Sequence, residues 1–552
     1  MADDVKRSAS IEELEEPEHH EQRLGQQVLD RQAALNAAIE ADPGPKHFSL
    51  AAIQLYLIAL VVCFCSGDNG FDGTVMGGIN TMSQFQAFFG MKDDAAKTSI
   101  VFGIYTMCVN DLGTTKLSLT DFYVICSGSI TGTIPAAYLP DKYGRRFPMW
   151  IGNAILILGA CMTANAKSMN MFLVGRWLTG TGCACAGAAA KSYLAEISPA
   201  KYRGAYIGFL NSFYYIGQMA ASGMMVSTGN YASDYSWRLP LYIQVVPAAL
   251  NFFFIYFCPE SPRWLHSVGR GHEARHILAK YHSATGDNKS PLIDLEMREI
   301  EEKIEIDGQD KRWWDFRPLF ATRADRYRAY MVILIGTFGQ LSGNGMITYF
   351  LPVLLENAGI ESQSKRLTLN FVNSVTSYIG ALGGAFTVDH FGRRRVLLAG
   401  TIAITVILAI VTGLLSKDDG NSARANAGIA FVYLFMVVFS YGWTSMQALY
   451  PAEVLGYQAR AKGLAFLNIC TQGSTLINTF GLPVALEKIK WKTYLIFTIW
   501  DSFECVVIYL FVVETKGLTL EEISEVFEQP NPRKYSERVA EMNKRRSGTT
   551  VV

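Results

Sequence analysis

Apolar runs of about twenty residues recur along the chain, separated by short polar loops. Clear examples are Ala51–Cys65, Met149–Ala164, Leu239–Cys258, Val396–Leu415, Ile429–Tyr450 and Tyr494–Val513. A helix of that length crosses about 30 Å of hydrocarbon, and only helices or closed barrels satisfy their own backbone there. The pattern predicts an all-α membrane protein with about twelve transmembrane helices. One stretch breaks the rhythm. The second helix begins KTSIVFGIYT, continues into VNDLGTTKLSLTD, and resumes as SGSITGTIPAAYLP. A mid-helix Asp or Lys costs about 3 kcal/mol in a bilayer. Removal of residues 107–126 restores an unbroken helix, and the codons available at Met107–Cys108 and Cys126–Ser127 permit splice donor and acceptor ends. The segment is therefore read as a retained intron, with a genuine inserted loop as the alternative.

The basic loops set the orientation. DKYGRR (141–146), KYR (201–203), DHFGRRR (389–395) and QARAK (458–462) fall after the predicted helices 2, 4, 8 and 10. Lys and Arg are retained on the cytoplasmic side, so both termini are expected there. Residues 1–47 are polar and acidic, carry no signal-peptide core, and are expected to be a disordered cytosolic tail. Residues 48–258 then form a first six-helix half, 259–328 a cytoplasmic linker with short helices (EARHILAKYH, LIDLEMREIEEKIEI), 329–514 a second half and 515–552 a cytosolic tail.

The halves repeat. DKYGRR answers DHFGRRR, YLAEISPAKYRG answers YPAEVLGYQARAKG, and PESPRWL answers VETKGLTLEE, each about 250 residues later. Such a duplication places a binding site between the halves near the bilayer midplane.

Composition adds little beyond this. The chain is 50% hydrophobic and 18% charged with zero formal net charge, which gives no indication of nucleic acid binding. Ten cysteines are scattered, mostly in apolar runs, with neither disulfide nor metal spacing. No nucleophile–base pair, phosphate loop or cofactor motif stands out, so an enzyme is not expected.

Polar side chains inside the apolar runs carry the candidate chemistry. Each sugar hydroxyl donates and accepts, and so does an amide. Gln340 and Asn344 are one helical turn apart and share a face with Tyr349 nearby; Asn211 and Gln218 share another. Asn373, Trp443, Gln447 and Asn468 complete the substrate-binding candidates. Asp72 and Arg176 are ionisable residues in membrane helices, where charge is costly and usually functional. Asp68, close by, is expected at the outer water interface.

PESPRWL, the paired AE…RG loops and the terminal ETKG resemble the sugar porters of the major facilitator superfamily, over roughly residues 50–528. GQLSGNGMITYF, WWDFRPLF and the acidic N-terminal tail are more similar to the fungal lactose permease and cellodextrin transporter branch. The resemblance implies the major facilitator fold, with two six-helix halves and a cytoplasmic helical linker. It implies sugar contacts at Asn211, Gln218 and Gln340, and proton coupling through competition between Arg176 and a proton for Asp72. It also implies a cytoplasmic gate that latches the halves, built from Asp141, Arg145, Arg146, Glu196, Arg203, Glu260 and Arg263 in the first half and linker, and Asp389, Arg393, Arg394, Glu453 and Arg460 in the second. The sequence departs from hexose porters at Gly339, where they carry glutamine, at Asn344, one residue early, and at Gln447–Ala448, where their tryptophan is missing. These departures favour a disaccharide, with a proton and the lipid bilayer as the other partners, in a monomeric plasma-membrane importer without cofactor. A sugar receptor and a facilitative hexose transporter are the alternatives.

Overall fold

The computed structural model describes residues 40–42, 44–46, 48–80, 82–90, 128–199, 202–308, 317–357, 360, 362–416, 422–455, 460–516 and 520–539. Residues 107–126, read above as a retained intron, lie outside them. The described residues form helices and connecting turns, and the chain divides into two compact units.

The larger unit holds the membrane helices. In its first part these are α1 (Leu50–Ile79, whose first residues belong to the smaller unit), the short α2 (Ser83–Phe89), α3 (Gly128–Tyr143), α4 (Arg146–Ala164), α5 (Met169–Ile197), α6 (Arg203–Thr228), and α7 (Tyr235–Ile243) running on into α8 (Val245–Phe254). Among the described residues, six helical stretches, Leu50–Ile79, Arg146–Ala164, Tyr235–Phe257, Arg393–Leu415, Asn426–Pro451 and Lys492–Phe511, are long and apolar enough to cross a membrane by length and composition alone. Buried hydroxyls in these helices donate back to the carbonyl one turn earlier, as Thr74 does to Gly70 (2.9 Å), Thr163 to Gly159 (2.7 Å) and Thr401 to Leu397 (2.8 Å). That satisfies a polar group without leaving the helix. Small residues let neighbouring backbones approach: a Cβ on Gly159 would stand 2.6 Å from the Thr179 amide of α5.

The smaller unit contains α9 (Pro262–Ser267), α10 (Gly271–His282) and α11 (Pro291–Gly308). Leu265, Leu278, Ile293 and Met297 form their shared core. Ser261 caps α9, accepting from the Trp264 amide, with Pro262 in the first helical turn. Asp42 belongs here as well. It is buried, and accepts from the Ala284 amide (2.7 Å) and the Ser290 hydroxyl (2.7 Å). The disorder expected of residues 1–47 therefore does not extend to Asp42, because one carboxylate satisfies several donors of the linker turn.

The second half of the larger unit starts at a capping box between Thr322 and Asp325. It comprises α12 (Arg323–Leu341), α13 (Asn344–Asn357), α14 (Gln363–Phe391), α15 (Arg393–Leu415), α16 (Ser422–Phe439), α17 (Ser445–Val454), α18 (Arg460–Lys488), α19 (Lys492–Phe511) and α20 (Leu520–Glu528). Two interruptions fall beside site candidates. Ser342–Gly343, with Gly343 at φ 86°, separates α12 from α13, and a π-helical turn at Ser440–Thr444 joins α16 to α17. The halves meet along α6 and α14, where Ser222 Oγ donates to Ser374 Oγ (3.2 Å). Gln363 donates to the Gly229 carbonyl (2.8 Å), and Tyr215 Oη to Thr444 Oγ1 (2.9 Å).

Candidate functional site

Asp72 of α1 and Arg176 of α5 are brought together in the protein interior, 0% and 1% exposed. Arg176 Nη1 bonds Asp72 Oδ1, and Nη2 approaches Oδ2 at 3.5 Å. A third residue, unremarked in the sequence, completes the group: Gln244 Nε2, between α7 and α8, donates to Asp72 Oδ1 at 2.7 Å. Gln244 is itself 0% exposed. Its signal was an amide alone within the apolar run LYIQVVP. A guanidinium and an amide donor thus converge on one carboxyl group in the protein interior.

The amide candidates divide. Gln340 is half-buried; its Oε1 accepts from Thr475 (3.2 Å) and its carbonyl from Asn478, both on α18. Gln447 Nε2 donates to the Gly339 carbonyl (3.2 Å), so the glycine that replaces a hexose-porter glutamine receives an amide from α17 instead. A Cβ on Gly339 would stand 3.2 Å from the Gln447 side-chain carbonyl carbon. Asn344 lies at the start of α13, just past the break, with Oδ1 buried and unbonded, and Asn373 Oδ1 is in the same condition. Gln218 is buried, whereas Asn211 and Asn468 are exposed. Trp443, expected among the sugar contacts, is fully enclosed, stacked at 11° on Phe439 in the π-helical turn. In this state it is a core residue. The side chain of Tyr349 lies outside the described residues.

The DKYGRR and DHFGRRR motifs form the same construction twice. Glu260 accepts from the Arg145 (3.0 Å) and Arg146 (3.4 Å) amides, capping the start of α4. Glu514 accepts from the Arg393 (2.8 Å) and Arg394 (3.2 Å) amides, capping α15. Arg145 pairs with Glu196 (3.0 Å), and Arg393 with Glu453 (2.8 Å). Arg146 donates to the Tyr256 carbonyl (2.9 Å), and Arg394 to Tyr509 (3.0 Å). Tyr193 and Tyr450 donate to the carbonyls of Pro259 (2.7 Å) and Val513 (3.0 Å). The turns depend on Gly144 (φ 87°) and Gly392 (φ 91°), where a Cβ would meet Glu260 and Glu514 at 2.6 and 2.7 Å. Glu514 was missing from the expected gate, although its ETKG motif was legible. Among the bonds described, each of Glu260 and Glu514 caps a helix of its own half. Asp141 is exposed, 3.5 Å from Arg145. Arg263 lies in the smaller unit, and the side chains of Arg203, Asp389 and Arg460 are outside the described residues.

Comparison with known proteins decides the family. The profile of the sugar (and other) transporter family matches residues 58–527. The chain belongs to this family. The transporter is 27% identical over 501 residues to a high-affinity glucose transporter of Kluyveromyces lactis, covering 86% of this chain and 85% of the relative. It is 26% identical to sugar transport protein 10 of Arabidopsis thaliana, covering 83% and 88%. Its fold matches the E. coli xylose transporter XylE in an inward-open conformation, with a TM-score of 0.67 and 18% identity over 86% of this chain and 99% of that one. The transporter thus has the all-helical major facilitator fold. It is a multi-pass membrane protein that moves sugar, not an enzyme.

Proposed function

We propose that the transporter imports sugar together with a proton, by alternating access, across the plasma membrane. The buried Asp72–Arg176–Gln244 group carries this reading, because protonation of Asp72 would release Arg176 and change the contact between α1 and α5. The sugar would bind between the halves against Gln340, Asn344, Gln218 and Asn211. We propose a disaccharide as substrate, supported by the departures from hexose porters at Gly339, Asn344 and Gln447–Ala448. A monosaccharide is the second reading, favoured by the relatives named as glucose transporters. The two cytoplasmic sets would exchange partners across the halves when the inner side closes. Both termini would then be cytoplasmic, the protein a monomer, and residues 107–126 absent from the functional form.

Uptake of labelled cellobiose, lactose and glucose, in cells without their own sugar transporters and with external pH recorded, tests this. Disaccharide uptake with alkalinisation supports the proposal. Glucose uptake without alkalinisation favours facilitated hexose transport, and binding without uptake a receptor.

A further inference from the structure

Asp68 stands one helical turn from Asp72 on α1, and it is not at a water interface. It is 1% exposed, and neither carboxyl oxygen has a hydrogen-bond partner among the described residues. Spacing of four residues puts both carboxyls on one face. Their neighbours are unequal. Asp72 has Arg176 and Gln244, whereas near Asp68 the described polar groups include the Cys65 thiol about one turn earlier, which accepts from Asn153 of α4 (3.7 Å). Gln244 Oε1 is also buried without a donor. Three buried acceptor atoms, two on Asp68 and one on Gln244, therefore have no donor among the described residues. A carboxylate here would be charged with no cation of its own, whereas a neutral carboxyl supplies a donor and removes the charge.

We propose that Asp68 is a second carrier of the transported proton, taking it from Asp72 and releasing it inward. The inference rests on the proton-coupled reading above. With the arginine-rich loops in the cytoplasm, α1 runs outward, so Asp68 lies on the inner side of Asp72. The proton leaves the Asp72 carboxyl for the Asp68 carboxylate. Asp72, now anionic, pairs with Arg176, and Asp68 becomes the neutral acid. Loss of that proton to cytosolic water resets the pair. One proton moves at each step, and no charge is created. The geometry observed is the stage at which Asp72 is paired and Asp68 holds the proton.

The test uses the chain with and without residues 107–126, each in proteoliposomes with labelled glucose and cellobiose under an imposed proton gradient, and the variants are made in whichever form exchanges sugar. Asp68→Asn is expected to exchange labelled sugar at equal concentrations on both sides but to lose gradient-driven accumulation. Asp68→Glu is expected to keep both. Wild-type accumulation matched by Asp68→Asn overturns the inference and leaves the proton-coupled reading standing. Wild-type exchange without accumulation contradicts that reading, and the inference falls with it. Infrared spectra of wild type and Asp68→Glu give a readout that needs no asparagine variant. A neutral-carboxyl stretch that moves from an aspartic to a glutamic position shows residue 68 protonated, and an unchanged region overturns the inference.

Discussion

Gln244 donates to the same oxygen of Asp72 that Arg176 bonds, so the carboxylate is held from two helices rather than one. A hydrogen bond to a charged group is worth about 1.5–3 kcal/mol. Gln244→Leu should therefore reduce proton-driven uptake by roughly tenfold or more, at unchanged surface amount. Unchanged uptake would mean that Arg176 alone sets the state of Asp72.

The repeated caps predict paired effects. Gly144→Ala and Gly392→Ala each add a Cβ against a capping glutamate at positive φ. Each should destabilise by about 1–3 kcal/mol, seen as a lower Tm in detergent. An effect at one glycine and none at its counterpart would contradict the equivalence of the halves.

Asp501 and Glu504 of α19 are fully buried, and none of their four carboxyl oxygens has a hydrogen-bond partner among the described residues. Replacing buried, uncompensated polar groups by apolar ones of similar size removes a desolvation cost of about 1–3 kcal/mol each. Asp501→Leu with Glu504→Met should raise Tm. A lower Tm would show that the carboxyls have a role outside this account.

Asp42 offers a prediction outside the membrane. Burial would raise its carboxyl, but hydrogen bonds from Ser283, the Ala284 amide, Ser290 and the Gly44 amide outweigh this and hold it below its ordinary value. Its stabilising effect is complete above the unfolded carboxylate value of about 3.9 and is lost as pH falls through the lower folded one. The attachment is therefore constant at neutral pH. Asp42→Ala should speed hydrogen exchange at the Ala284 amide by roughly tenfold or more. Exchange equal to wild type would show that Asp42 does not hold that amide.

Particular residues show what the sequence could reveal. Asp72 and Arg176 were legible because charge in an apolar run is rare, and because each sits in a family motif. Repetition pointed to the cap motifs, though Glu514 was passed over. Gln244 was not legible, since a single amide in an apolar helix looks the same whether it bonds a neighbour or faces solvent. Asp68 was misplaced because no family motif covers it, whereas α1 continues through the glycines around it to Ile79, with Gly70 packed on the Tyr214 backbone. The enclosure of Trp443 was not legible, because the π-helical turn that surrounds it follows from packing rather than from local pattern.

Proton coupling through Asp72 is the central claim, and sugar uptake with simultaneous recording of external pH tests it most directly, in wild type and Asp72→Asn, with and without residues 107–126. The account predicts alkalinisation that follows sugar addition in the form lacking those residues and disappears in Asp72→Asn, while sugar exchange persists. Sugar uptake with no alkalinisation in any form, or alkalinisation that survives Asp72→Asn, would contradict it.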